Sequence, residues 1–113
     1  MRKRAAIVAA AMLGGTVLIG IPSASAKVCA SNSCSSAINS WAGAQICDGD
    51  ADGNAVETNF YRDNGSHQTA KESRGSGNCT SSGSDYGNLV YRHQAHQIRD
   101  WVPDSWSGFE YRY

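Results

Sequence analysis

Hydrophobic and polar side chains alternate most cleanly from Ala55 to Arg62. Val56, Thr58 and Phe60 fall on one face there, and Ala55, Glu57, Asn59 and Tyr61 on the other. A repeat of two marks a strand with one face buried. Asp63-Asn64-Gly65 comes next, and Asn and Gly tolerate the positive φ of a tight hairpin. Ser66–Ser73 is therefore expected to return as a polar strand at a sheet edge. Upstream, Ala42–Asp48 reads as a strand that runs into the turn-rich stretch DGDADGN at 48–54. Downstream, Leu89, Tyr91 and His93 alternate with Val90, Arg92 and Gln94, predicting a strand over Asn88–Gln94. Pro103-Asp104-Ser105 marks a turn. Trp106–Tyr113 then predicts a terminal aromatic strand, with Phe109, Tyr111 and Tyr113 facing the core and Trp106, Glu110 and Arg112 on the other side.

Elsewhere the period fades. Lys27–Ser40 is mostly Ser, Ala and Asn with two cysteines, and is expected as a disulfide-tied arm or an irregular turn. Residues 74–88, rich in Gly and Ser, form a loop around Cys79. A helix is admitted only at 93–102, HQAHQIRDWV, through Ile98, Trp101 and Val102. Short strands separated by Gly, Asn and Asp turns predict an all-β fold, a small antiparallel β-sandwich or barrel.

Residues 1–26 have a different character. Arg2, Lys3 and Arg4 precede the apolar run Ala5–Ile21, Pro22 breaks it, and Ala24-Ser25-Ala26 offers a small-x-small cleavage site. That order reads as a secretory signal peptide, and a secreted, extracellular protein is expected. Cleavage after Ala26 would leave 87 of the 113 residues, divided into an arm at 27–40 and a β domain at 41–113. It would also remove three of the ten basic residues and none of the ten acidic ones, so the net charge becomes −3. Mild acidity with scattered cations argues against nucleic acid and against an anionic membrane surface once the signal is gone.

The remaining chain has few aliphatic side chains: Val28, Ile38, Ile46, Val56, Leu89, Val90, Ile98 and Val102. Small exported domains with thin cores commonly add disulfides. Cys29, Cys34, Cys47 and Cys79 fit that need, as an even count in an oxidising compartment. Four cysteines admit three pairings, and the sequence does not choose among them. Cys29–Cys34 with Cys47–Cys79 is preferred, because the first closes a local loop and the second ties a strand to a distant one. Zinc is disfavoured for want of a C-x-x-C pair.

The chemistry-bearing candidates are sparse. Asp48, Asp50 and Asp52 with Gly53 match the first half of an EF-hand loop. Ala55 and Asn59 then stand where an aliphatic residue and a bidentate Glu are required, leaving only a weak Ca²⁺ candidate. The plainer expectation is a β-hairpin turn joining strands that end near Asp48 and start near Asn54. His67, His93 and His96 show no metal-site spacing, and no cofactor is implied. A ribonuclease-like set could be drawn from Glu57, His93 or His96, and Arg74, Arg92 or Arg99, although no spacing supports it. Trp101 and Trp106 flank the Pro103 turn as a candidate stacking platform for a sugar or peptide.

Several short motifs occur in a fixed order: Cys47-Asp48 with Ala51-Asp52-Gly53, then Ser76-Gly77-Asn78-Cys79, Leu89-Val90-Tyr91-Arg92, and Trp106-Ser107-Gly108. This layout resembles small exported disulfide-containing proteins of actinobacteria. The resemblance implies a disulfide-bearing antiparallel β fold and transfers no catalytic residue. The further cysteine pair common near the end of such proteins is missing after Cys79. The expected function is a secreted, non-catalytic binding or cell-envelope-associated protein, its partner a cell-wall glycan or another protein. The alternatives are an exported toxin, bacteriocin or protease inhibitor, and less favourably a small hydrolase such as a ribonuclease.

Overall fold

The computed structural model describes residues 27–113; the expected signal peptide, residues 1–26, lies outside the described residues. Among the described residues nine strands succeed one another: β1 Val28–Ala30, β2 Ser33–Ile38, β3 Gly43–Cys47, β4 Ala55–Arg62, β5 His67–Glu72, β6 Cys79–Ser81, β7 Val90–Ile98, β8 Ser105–Trp106 and β9 Glu110–Tyr111. No helix occurs among the described residues, and 93–98, where one was admitted, continues β7. The strands form two antiparallel sheets, ordered β1-β2-β3-β6 and β5-β4-β7-β8, with β9 also pairing to β7. The fold is all-β with two disulfides.

The residues expected to form an arm or irregular turn supply β1 and β2 of the first sheet. Their period is invisible because their inward positions hold Ala30, Ser33 and Ser35, all buried. Asp48–Asn54 is not the expected hairpin turn. β3 pairs with β2 and β6 in the first sheet, whereas β4 pairs with β5 and β7 in the second. The stretch therefore carries the chain from one sheet to the other.

The sheets meet through a small apolar interior. Ala30 and Ile46 of the first sheet pack against Val56 and Ala95 of the second. Ala44 packs against Phe60 and Val90, with Trp41 alongside. A register shift between Tyr61 and Arg62 leaves Tyr91 as an extra residue on β7. Such a bulge reverses the facing of the residues beyond it. Val90 thus shares the interior with His93 and Ala95, not the outer side with Arg92 and Gln94 as strict alternation predicted.

A second slip overturns the reading of the C-terminal strand. Trp106 pairs with His96, but Tyr111 pairs with Arg92 and Glu110 with His93. Trp106 and Tyr111 are five positions apart, an odd offset, yet both lie on the outer face. Ser107 absorbs the slip: its amide donates to the Ala95 carbonyl at 2.9 Å, and its hydroxyl accepts the Ala95 amide at 2.8 Å. Tyr111 and Tyr113, expected in the core, are 53% and 75% exposed. Glu110 turns inward instead.

Strand register explains the disulfides. Cys29 faces Cys34, Cys34 faces Cys47 and Cys47 faces Cys79, so one row across the first sheet carries all four sulfurs. Adjacent strands lie about 4.8 Å apart, and bridged Cα atoms must lie within about 7 Å. A central Cys34–Cys47 bond would strand the outer pair three strands apart, and the alternating pairing would span two strand spacings. Cys29–Cys34 and Cys47–Cys79, the preferred pairing, is the one that uses every sulfur.

Charged and polar side chains close the two ends. Arg62 is buried and donates from Nη1 to the carbonyls of Ala42 and Asn88, each at 2.8 Å, and from Nε to Gln68 Oε1 at 2.9 Å. At the other end Glu72 accepts from Arg74 Nη2 and from Thr80 Oγ1, both at 2.7 Å. The Arg74 hydrogen bonds chiefly hold the Glu72 carboxyl down to about 2.

Candidate functional site

The interior contains the most conspicuous chemical constellation. Ser35 Oγ lies 2.7 Å from His93 Nδ1 and 2.7 Å from Thr58 Oγ1, while His93 Nε2 lies 2.6 Å from Glu110 Oε1. Burial pushes His93 down to about 4, so the ring is neutral at pH 7. Nε2–H then donates to Glu110, Nδ1 accepts from Ser35, and Ser35 accepts from Thr58.

A serine, a histidine and a carboxylate in contact suggest nucleophilic catalysis, but the geometry is wrong for it. Ser35 and His93 are fully buried between the sheets. The ring is also reversed, because an attacking serine sits at Nε2 with the orienting carboxylate on Nδ1. The chain of bonds fastens β2 to β4, β7 and β9, a structural role. Sequence reasoning missed it because its serine belongs to a strand without a visible period.

The outer face of the second sheet offers chemistry that solvent can reach. Three rungs cross it: Lys71–Glu57–His96–Trp106, then Thr69–Asn59–Gln94, then His67–Tyr61–Arg92–Tyr111. On the first rung the Trp106 indole stacks on the His96 imidazole, centroids 3.5 Å apart and planes 6° apart. His96 is gripped at both ends. Nδ1 lies 2.9 Å from Glu57 Oε2 and Nε2 lies 2.8 Å from Asp104 Oδ2. Both contacts are hydrogen bonds at once when both ring nitrogens carry protons. Asp104 is itself held below the usual carboxylate range, first by the Arg99 backbone N–H and then by His96.

On the third rung the Arg92 guanidinium lies 4.2 Å from the Tyr61 ring centroid and 4.3 Å from that of Phe109. Contacts of this kind are worth about 0.5–2 kcal/mol. The Tyr111 hydroxyl is the chief group holding Arg92 above the ordinary guanidinium value. His67 stacks on Tyr61 with centroids 4.5 Å apart and bonds Asn59 Oδ1 through Nε2 at 3.1 Å.

The tryptophans predicted as a platform are placed very differently. Trp106 is half exposed and braced from behind, whereas Trp101 stands fully in solvent with φ +71°. Among the described residues no ring contact involves Trp101.

The ribonuclease-like set is brought together only in part. Glu57 meets His96, but Arg92 lies four residues along the same strand, roughly 13 Å away at about 3.3 Å per residue. Arg74 is committed to Glu72, and Arg99 Nε donates to the Pro103 carbonyl. His93 is interior.

The acidic turn is tied up by neutral donors. Gln97 Nε2 donates to Asp50 Oδ2 at 3.2 Å and to Asp52 Oδ2 at 2.8 Å, and Asn32 Nδ2 donates to Asp50 Oδ1. These hydrogen bonds, with Asn32 the largest contributor, lower the Asp50 carboxyl. Asp48 is buried and accepts the Asp50 amide. Among the described residues, no group of three or more His, Cys, Asp or Glu side chains is disposed to hold a metal ion. No helix among them is long and apolar enough to cross a membrane. No family model matches the chain, and neither a curated protein nor a solved structure is significantly similar to it.

Proposed function

We propose that the protein is an exported, non-catalytic binding protein of the cell envelope that holds a glycan against the outer face of its second sheet. The carrying observation is the Trp106 ring, stacked at 3.5 Å on a histidine that two carboxylates pin in place. An aromatic plane immobilised from behind and half exposed in front suits the apolar face of a sugar ring, and its order is established before binding. The disulfides and the signal-like leader support an extracellular setting. Catalysis is disfavoured because both nitrogens of His96 are engaged and the nearest arginine on that face is distant.

Retention of the purified protein on insoluble peptidoglycan and on immobilised polysaccharides tests the reading. Saturable retention is expected, and Trp106→Ala should weaken it about tenfold or more, as loss of a buried aromatic contact does. Full binding by Trp106→Ala, or no retention on any of these matrices, would overturn it.

A further inference from the structure

Asn59 Nδ2 and Arg92 Nε are buried without a hydrogen-bond partner. Both belong to the outer face of the second sheet, on neighbouring strands and consecutive rungs. Asn59 is only 6% exposed although its face points away from the other sheet. An unpaired buried donor costs about 1–3 kcal/mol, so two such donors side by side call for an acceptor that both can share.

Their surroundings define that acceptor. The rings of Tyr61 and Phe109 lie against the Arg92 guanidinium and the Tyr111 hydroxyl bonds it, so Nε is the N–H left for a ligand. A guanidinium N–H is a charged donor matched to a carboxylate. His67 is exposed, stacked on Tyr61 and joined to Asn59 Oδ1 by one hydrogen bond. At the far end of the face, Glu57 and Asp104 flank His96 beneath Trp106. The face is thus acidic under the tryptophan and cationic at Arg92.

We infer that Asn59 and Arg92 form a second subsite that takes a sugar carboxylate, so that the ligand is an acidic oligosaccharide; the assignment rests on the proposal that this face binds a glycan. The neutral ring face of the ligand stacks on Trp106 and its carboxylate sits between Arg92 and Asn59. Arg92 lies four residues from the Trp106 rung and Asn59 two, roughly 13 and 7 Å at about 3.3 Å each, so the ligand between them is an oligosaccharide rather than a single sugar.

Isothermal titration with an oligogalacturonide and with the same material after reduction of its carboxylates to alcohols tests the assignment. The acidic form should bind about tenfold tighter, the scale of a charge-assisted contact, and added NaCl should erode that advantage. Arg92→Gln and the equal-sized Asn59→Asp should each abolish the preference, bringing the two forms to equal affinity. Trp106→Ala should weaken both forms. Circular dichroism and melting curves confirm that each variant is folded, and Asn59→Asp carries the test if Arg92→Gln is not. Equal affinity for the two forms would overturn this inference and leave the glycan reading standing. Absence of binding to either form would also overturn this inference, whereas the glycan reading stands or falls by retention on the peptidoglycan and polysaccharide matrices.

Discussion

Lowering the pH from 7 towards 4 protonates His93 in the unfolded chain well before it does so in the folded one. The unfolded imidazole titrates near 6.5, whereas burial pushes the native one down to about 4. Between those values the unfolded state binds the extra proton, so stability is fully present above pH 6.5 and falls as the pH drops through 4. The full difference corresponds to about 3 kcal/mol at 1.36 kcal/mol per unit, of which about 2 kcal/mol should be lost between pH 7 and 4.5. The groups facing the ring are Ser35 from β2, Glu110 from β9 and the Trp41 ring at 5.6 Å. Glu110 is the one charge among them and opposes the shift. Urea denaturation at pH 7, 5.5 and 4.5, on the wild type and on His93→Gln, isolates the effect, because His67 and His96 are common to both proteins. The variant should start less stable at pH 7 and lose about 2 kcal/mol less on acidification. Equal losses would refute the reasoning. A wild type that gained stability on acidification relative to the variant would show that Glu110 outweighs burial.

Removing Cys47–Cys79, which spans 32 residues, should cost about 4 kcal/mol, against about 2 kcal/mol for Cys29–Cys34, which spans five; paired Cys→Ser variants in urea titrations check the order. Ser35→Ala should cost about 1–3 kcal/mol, because it leaves His93 Nδ1 and the Thr58 hydroxyl without their shared partner. Phe60→Ala should cost about 3–5 kcal/mol, since Phe60 is the largest fully buried side chain among the described residues; calorimetry reads both. Glu72 is held down to about 2, so its contribution is present above pH 4.5 and lost as the pH falls through 2. Glu72→Gln should lack that loss in an acid titration monitored by circular dichroism.

Strand β4 was legible to the residue because both of its faces obey one period and its neighbours end in turn residues. β5 was legible from the Asn-Gly turn and its polar composition, and β3 from its apolar run. β1 and β2 were not, because β1 has only three residues and the inward positions of β2 hold Ser33 and Ser35, whose hydroxyls bond Asp48, Thr58 and His93. The partners of Ser35 lie 23 and 58 residues away, a separation that no local pattern can report. The candidate site was half legible: Trp106 stood out as an aromatic beside a turn, while the Asn59–Arg92 pair looked like ordinary strand residues.

The sequence by itself determined the all-β class, most of the strands, the thin core and its dependence on four cysteines. These features arise from composition and from side-chain alternation, which are local. Tertiary structure decided which face each strand presents, because one bulge at Tyr91 and one slip at Ser107 each reverse the alternation after them. Those two slips turn Val90 and Glu110 inward and leave Trp106 and Tyr111 together outside. The same register aligned the sulfurs in one row and so left one pairing that bonds them all.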